Sequence, residues 1–324
     1  MFPEPLPVSV IIISYNTRQM TLDCLGALFA DLGAGADVWV VDNASQDGSA
    51  DGVRAAFPQV HLIENPDNAG FGAANNLALQ RASGDFLLLL NSDAFVRPGT
   101  VAALVRCLTS RPKAGIAAPR LLNRDGSLQR SCYKFPSPGR AWLENLGVSG
   151  LLARHPAAGD YSRWAHDSER SVEWAIGACL LVRRAAYVQA GGFDEAFFMY
   201  QEETDWQRRV RDGGWDIVFT PSASVTHLGG ASGASEQARI NAHFFDSLDY
   251  YIRKHHGRAG LISLRLAMVV GAAARTLVWS GIAAALPRRR LALKTAARAK
   301  TRLQAWLCVR QATQWRGAGK GARA

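Results

Sequence analysis

The chain has 324 residues, 48% of them hydrophobic, long enough for one large domain and an appendage. Its five cysteines, Cys24, Cys107, Cys132, Cys179 and Cys308, are scattered, odd in number and without a Cys-x-x-Cys, which excludes a disulfide scaffold and reads as reduced thiols in a cytosolic protein. The net charge of +10 describes neither part of it. Sixteen of the 37 Lys and Arg lie from Tyr250 onward with no Asp or Glu, leaving 21 basic against all 27 acidic residues in 1–249, and an acidic body without a recognised binding motif speaks against nucleic acid.

The first strand begins within ten residues of Met1, which predicts no signal peptide. Val8-Ser9-Val10-Ile11-Ile12-Ile13-Ser14 reads as a strand buried on both faces, and Tyr15-Asn16-Thr17 as a turn capping a helix from about Arg18 to Ala30. Val38-Trp39-Val40-Val41 is a further strand, closed by Asp42-Asn43-Ala44-Ser45-Gln46-Asp47-Gly48-Ser49. Asn65 to Asn76, with Asn68-Ala69-Gly70-Phe71-Gly72 at its centre, leads into a helix ahead of the strand Phe86-Leu87-Leu88-Leu89-Leu90, which ends in Asn91-Ser92-Asp93. Three strands therefore end in polar clusters on one edge. The strand, helix, strand rhythm predicts a largely parallel sheet with helices on both faces, and such folds place ligands at the carboxyl edge. There Asp93 offers hard oxygens suited to Mg²⁺ or Mn²⁺, which bind through one or two carboxylates plus the oxygens of a diphosphate. Asn91 adds only a neutral amide.

Residues 120–170 mix Pro, Ser, Gly and basic residues, and their loops border the far side of the predicted cleft. Glu202 and Glu203 open a helix running to about Asp212, where Gly213-Gly214 stops it. With Asp205 they place three acids in the first turn, more than capping needs. Asp205 and Arg209, four apart on one face, are expected to pair. Leu261 to Leu286 is rich in Leu, Ala and Val but carries Arg265 and Arg275. Arg288-Arg289-Arg290 and a second helical stretch with Leu291, Leu293, Leu303, Trp306 and Leu307 follow. The first stretch is just long enough to span a bilayer, yet two internal arginines cost ~2.5 kcal/mol or more each near its centre. Amphipathic helices lying on an anionic leaflet fit better.

The ordered series resembles the large family 2 of inverting nucleotide-sugar glycosyltransferases, which have the GT-A fold. Its carriers are Ser9 to Asn16, Val41-Asp42-Asn43-Ala44-Ser45 with Asp47-Gly48-Ser49, Asn68-Ala69-Gly70-Phe71-Gly72 with Asn75-Asn76, and Asn91-Ser92-Asp93 in place of Asp-x-Asp. Gly177 to Arg184, Gly191-Gly192-Phe193-Asp194-Glu195, Tyr200 to Trp206 and His227 continue it. It covers roughly residues 7–257 and looks nearest to rhamnosyltransferase-like enzymes of bacterial surface-polysaccharide assembly.

The resemblance implies that Ser14, Asn16 and Asp42 surround the nucleoside base, where an acceptor-only Asp42 suits the imide N–H of uracil or thymine. Gly70, with Gly72, would let the backbone approach the ribose and diphosphate, with Asn75 pointing inward. Asn91 is expected among the nucleotide-sugar-binding residues. His227 would complete the metal shell of Asp93 or touch the diphosphate, and the glycines after it permit a closing loop. The family has Glu-Asp where this chain has Glu202-Glu203, so the base that deprotonates the acceptor hydroxyl falls on Glu203, or on Glu202 if the longer side chain shifts the assignment. Trp174 could form a stacking platform for the acceptor sugar.

The expected fold is thus a GT-A-type, Rossmann-like α/β/α sandwich over 1–257, its nucleotide-sugar-binding half about 1–110 and its acceptor and catalytic half 111–257, with a basic amphipathic helical tail over 258–324. The expected activity is that of a metal-dependent inverting transferase of hexosyltransferase type. It would move a sugar from a UDP- or dTDP-sugar, dTDP-rhamnose among them, to a hydroxyl of a glycan or lipid-linked acceptor. Its place would be the cytoplasmic face of the plasma membrane, held peripherally through 258–324. A sugar nucleotidyltransferase shares the sheet but would need a Gly-rich N-terminal loop with a basic residue, which Ser14-Tyr15-Asn16 is not; a non-catalytic membrane-docked scaffold would differ by lacking donor turnover.

Overall fold

A computed structural model describes residues 7–149, 152, 161, 164–229 and 237–285. The first half follows the predicted rhythm: Val8–Ser14 (β1), Arg18–Leu32 (α1), Asp37–Asp42 (β2), Ser49–Ala56 (α2), His61–Glu64 (β3), Phe71–Leu79 (α3) and Phe86–Asn91 (β4). Then come Ala94–Val96 (β5), Thr100–Thr109 (α4), Ala114–Leu122 (β6), Leu128–Gln129 (β7), Cys132–Tyr133 (β8), Pro138–Asn145 (α5), Arg170–Val172 (β9), Trp174–Ala175 (β10), Cys179–Arg183 (β11), Arg184–Ala190 (α6), Glu202–Asp212 (α7), Asp216–His227 (β12) and Gln237–Ala285 (α8).

The chain divides into two compact units. The first, 1–135 with 164–231, holds a ten-stranded sheet of order β3-β2-β1-β4-β11-β6-β12-β5, with β7 beside β6 and β9 beside β12. β3, β2, β1 and β4 are parallel, as is the β6/β12 pair, whereas β11, β5, β7 and β9 run antiparallel to their neighbours. The sheet is therefore mixed beyond its first four strands. β5 starts directly after Asn91-Ser92-Asp93, too soon for the helical crossover a parallel return requires. β1 and β4 are apolar because both faces are covered: Val10, Ile11, Ile12, Leu87, Leu88, Leu89 and Leu90 are all buried.

Thr17 occupies the N-cap of α1 but its hydroxyl does not cap. The Arg18 N–H donates instead to Asp47 Oδ2 at 2.8 Å, so the turn after β2 closes the helix that follows β1. α7 spans the residues predicted for it. Gly214, at φ +88°, carries the left-handed backbone just after the Gly213 cap.

The second unit comprises 136–163 with 232–324, and among its described residues α5 packs along α8. Ser137 Oγ accepts from the Arg140 N–H and Pro138 occupies the first turn, so α5 starts where its sequence dictates. α8 is broken at Gly257, where φ is +68°. α8 on both sides of Gly257 belongs to this unit together with α5. Arg288-Arg289-Arg290, Leu291, Leu293, Leu303, Trp306 and Leu307 lie outside the described residues.

Candidate active site

Parallel pairing sets the carboxyl edge. Ser14 stands beside Asp42, and Asn91 beside Ile13, so the ends of β1, β2 and β4 are adjacent. Asp42 is buried; one oxygen accepts from the Ser45 N–H at 3.0 Å, and the other is buried without a hydrogen-bond partner. An acceptor left open in this way has room for one more donor. Ser14 turns its hydroxyl to Thr21 (2.9 Å) and Thr17 (3.3 Å), and Thr17 continues to Ser92 at 3.1 Å. Ser14 is therefore part of a hydroxyl chain reaching the Asn91-Ser92-Asp93 turn. Asn16 is exposed at φ +53° and latches the two turns together, its N–H on Ser45 Oγ and its Oδ1 receiving the Gln46 N–H.

Asp93 and His227 are brought together by the antiparallel β12/β5 pairing, in which His227 faces Ala94, and by the Leu228 N–H on the Asp93 carbonyl at 3.0 Å. His227 Nε2 lies 3.4 Å from Asp93 Oδ1. Its Nδ1 donates to Gln129 Oε1 at 2.7 Å, an orientation fixed by Gln129 Nε2, which donates to Asn123 Oδ1 at 3.3 Å. Nε2 then faces the carboxylate. Two lone-pair-bearing atoms that close repel each other unless a proton or a metal cation accompanies them. Burial pushes the Asp93 carboxyl up, but the hydrogen bond and charge of His227, with backbone N–H groups including that of Gly229, outweigh it and hold the group below the usual carboxylate range. The donor set fits Mn²⁺ or Mg²⁺: a hard carboxylate, an imidazole oriented by its second nitrogen, and the buried, partnerless Asn91 Oδ1 on the same turn. Among the described residues no group of three or more His, Cys, Asp or Glu could hold a metal. Gln129 had no signal in the sequence.

The loop before α3 is held by Asn43. Its Oδ1 accepts from Asn65 and the Ala69 N–H, and its Nδ2 donates to Asn68 at 2.8 Å. At Gly70, with φ +86°, a Cβ would lie 2.2 Å from the Phe198 carbonyl oxygen. Gly72 would meet Phe193 at 3.0 Å and Glu202 Cβ at 3.6 Å. The glycines thus admit the segment leading into α7. Asn75 is buried and bonds back to the Phe71 carbonyl at 2.9 Å.

Its neighbour Asn76, quoted in the motif but given no role, is the clamp. Asn76 Oδ1 receives the Phe193 N–H at 2.8 Å, and its Nδ2 donates to the Phe193 carbonyl (2.9 Å) and Glu195 (2.8 Å). Asn76→Ala leaves a buried N–H and C=O of Phe193 without these partners and is expected to cost about 1–3 kcal/mol, read as a lower urea midpoint at unchanged m.

Tyr200 and Gln201 both have φ +66°, an uncommon backbone for non-glycine residues, directly before Glu202 and Glu203. Glu202 is buried and Glu203 half-buried, and each has an Oε2 that is buried without a hydrogen-bond partner. Burial raises the proton affinity of both. The neighbouring Glu203 charge pushes Glu202 further, well above the usual range, because two charges buried side by side repel. Gly177 lets the Glu203 side chain in: a Cβ there would lie 3.3 Å from Glu203 Cγ. Asp205, fully buried, pairs with Arg209 at 3.0 Å, the structural role expected of it. Trp174 stacks on Tyr133 at 5.1 Å and donates its indole N–H to the Lys134 carbonyl. β10 is fastened to α7 by Gln207, which exchanges two hydrogen bonds with Ala175. Gly230 to Ser232, in the expected closing loop, lie outside the described residues.

The Glycosyl transferase family 2 model matches residues 9–187. An N-acetylglucosaminyl-diphospho-decaprenol L-rhamnosyltransferase of Mycobacterium tuberculosis is 30% identical over 76% of this chain and 85% of its own length. Rhamnosyltransferase WbbL of Escherichia coli is 27% identical over 49% of this chain and 60% of its own. Among solved structures, the mannosyltransferase PcManGT of Pyrobaculum calidifontis, in complex with GDP-Man and Mn²⁺, superimposes with a TM-score of 0.58 at 18% identity, covering 96% of this chain and 89% of that one. The fold is therefore GT-A.

Proposed function

The chain belongs to glycosyl transferase family 2, and from that premise we propose that it transfers a sugar, with inversion, from a UDP- or dTDP-sugar to a hydroxyl of a glycan or lipid-linked acceptor in cell-surface polysaccharide synthesis. dTDP-rhamnose is the first donor to test, since two relatives carry rhamnosyltransferase names. The observation that carries the reading is the pair of partnerless carboxylate oxygens on Glu202 and Glu203, held dry at the start of α7.

Asp42 accepts the imide N–H of the base through its open oxygen, with Ser14 and Asn16 shaping the turn around it and Gly70 and Asn75 bordering the ribose side. Asp93, His227 and the Asn91 amide are the residues that would hold a divalent cation, which when bound supplies charge neutralisation to the departing diphosphate. Glu203 takes the proton of the acceptor hydroxyl as the acceptor oxygen bonds to the anomeric carbon and the bond from that carbon to the diphosphate breaks on the opposite face. A raised proton affinity suits a base that works near neutral pH. Trp174, stacked on Tyr133, offers a flat surface to the acceptor sugar. The body acts at the cytoplasmic face of an anionic membrane, held peripherally through the basic segment 258–324.

Titrating the protein by calorimetry with UDP- and dTDP-sugars, with and without Mn²⁺ or Mg²⁺, tests this. Metal-dependent binding of one donor, followed by slow release of nucleoside diphosphate, is expected; no binding across the panel would overturn the reading.

The glutamate pair also sets a pH dependence of stability. Glu202 has its proton affinity raised by folding, so the stability it contributes is present in acid and is lost as pH rises through the raised value. Glu202→Gln removes that loss. The variant is expected to melt a few °C above the parent at pH 8, at roughly 2–4 °C per kcal/mol, and level with it near pH 4. Thermal scans across that range read the difference, and equal offsets at both pH values would refute the assignment.

A further inference from the structure

The stretch His243–Val278 of α8 is long and apolar enough to cross a bilayer by length and composition, yet it holds Arg265 and Arg275. Both arginines are drawn off its outer face. Arg265 pairs with Asp249 at 2.5 Å, and Arg275 donates to the Asn145 carbonyl at 2.6 Å and the Asn145 side-chain oxygen at 3.2 Å. α5 lies along the inner side: a Cβ on Gly260 would lie 3.4 Å from Pro138, one on Gly271 2.6 Å from Asn145, and Trp142 Nε1 donates to Ser263 at 3.1 Å. Leu264 and Ala267, on that side, are buried. Outward remain Ile262, Leu266, Val269, Val270 and Leu277, recurring at intervals of three, four and seven residues and 40–74% exposed. Arg258, exposed and four residues before Ile262, stands at the head of this face, and Arg253 and Lys254, also exposed, precede the break at Gly257.

We propose that this face lies flat on an anionic phospholipid bilayer, with Ile262, Leu266, Val269, Val270 and Leu277 among the acyl chains and Arg253, Lys254 and Arg258 against the headgroup phosphates. The inference rests on the membrane-surface reading above and names the residues that carry it. Lying flat is favoured over crossing because α5 runs beside Gly260 to Arg275 and carries Glu144, 59% exposed, which a spanning α8 would take into hydrocarbon together with the Arg265–Asp249 pair.

Full-length protein is sedimented with phosphatidylcholine vesicles with and without phosphatidylglycerol, and donor binding is measured in parallel without vesicles. Partition into the phosphatidylglycerol vesicles that weakens with salt is expected. Leu266→Glu with Leu277→Glu should lower it about tenfold or more, the loss of two inserted leucines. Arg253→Gln and Arg258→Gln should each lower it about fivefold at low salt. Donor binding should stay unchanged in all of them. Leucine variants that pellet like the parent while the donor still binds would overturn the face and leave the transferase reading standing. Vesicle binding that follows the leucines, in a protein that binds no donor, would support the face and sink the transferase reading. A dimer in sedimentation velocity that Leu266→Glu dissociates, with no vesicle binding by the parent, would give the face to a second copy and overturn the proposal.

Discussion

Asp93→Ala is expected to abolish metal-dependent binding of the nucleotide-sugar and to reduce transfer on the order of 10²–10³-fold or more, the scale seen when a group stabilising transition-state charge is removed. Asp93 is the only carboxylate of the Asn91-Ser92-Asp93 turn, and among the described residues its side-chain ion pair is with His227 at 3.4 Å. The fold should survive, because β4 and β5 on either side are held by buried apolar residues and by strand pairing that the Asp93 side chain does not join. Asn91→Ala should hurt less, since an amide contributes a neutral oxygen. Calorimetry with donor and Mn²⁺, repeated after chelation, reads both. If Asp93→Ala kept near-parental transfer at saturating donor and metal, the cation would have to be held elsewhere.

Glu203→Gln should keep donor affinity and lose about 10²–10⁴ in turnover, the usual worth of a general base. The amide is nearly isosteric, so the packing of Glu203 against Gly177 is preserved and only the proton acceptor is removed. Glu202→Gln has a different signature. Glu203 is the assigned base and Glu202 is buried beside it, so with Glu202 replaced the proton acceptor remains and turnover should fall far less. A dead Glu202→Gln beside an unimpaired Glu203→Gln would move the base by one residue.

Much of this architecture is local in origin and therefore legible in the chain. The Ile and Leu runs of β1 and β4 announce strands covered on both faces, and each polar cluster that ends them marks the carboxyl edge, because neighbours in sequence share one backbone period and one set of turn residues. The start of α7 at Glu202 and the Asp205–Arg209 pair follow from helix geometry alone. The surroundings of Gly70 and Thr17, set by distant segments, show where this stops. The missing Cβ of Gly70 makes room for the Phe198 carbonyl, and the N-terminus of α1 is closed by Asp47 rather than Thr17.

Tertiary pairing decided the rest. His227 reaches Asp93 only because β12 lies antiparallel to β5, and Gln129 orients that imidazole across 98 residues of chain. Asn76 clamps the approach to the glutamates across 117 residues, one position from the asparagine the motif favoured, since adjacent residues on a helix point about 100° apart. In the second unit the sequence shows two arginines inside an apolar helix, but only the folded chain shows Asp249 and Asn145 taking both off its outer face. A pattern along the chain fixes which residues turn inward; which partner they meet there depends on strands and helices that approach from far away in sequence.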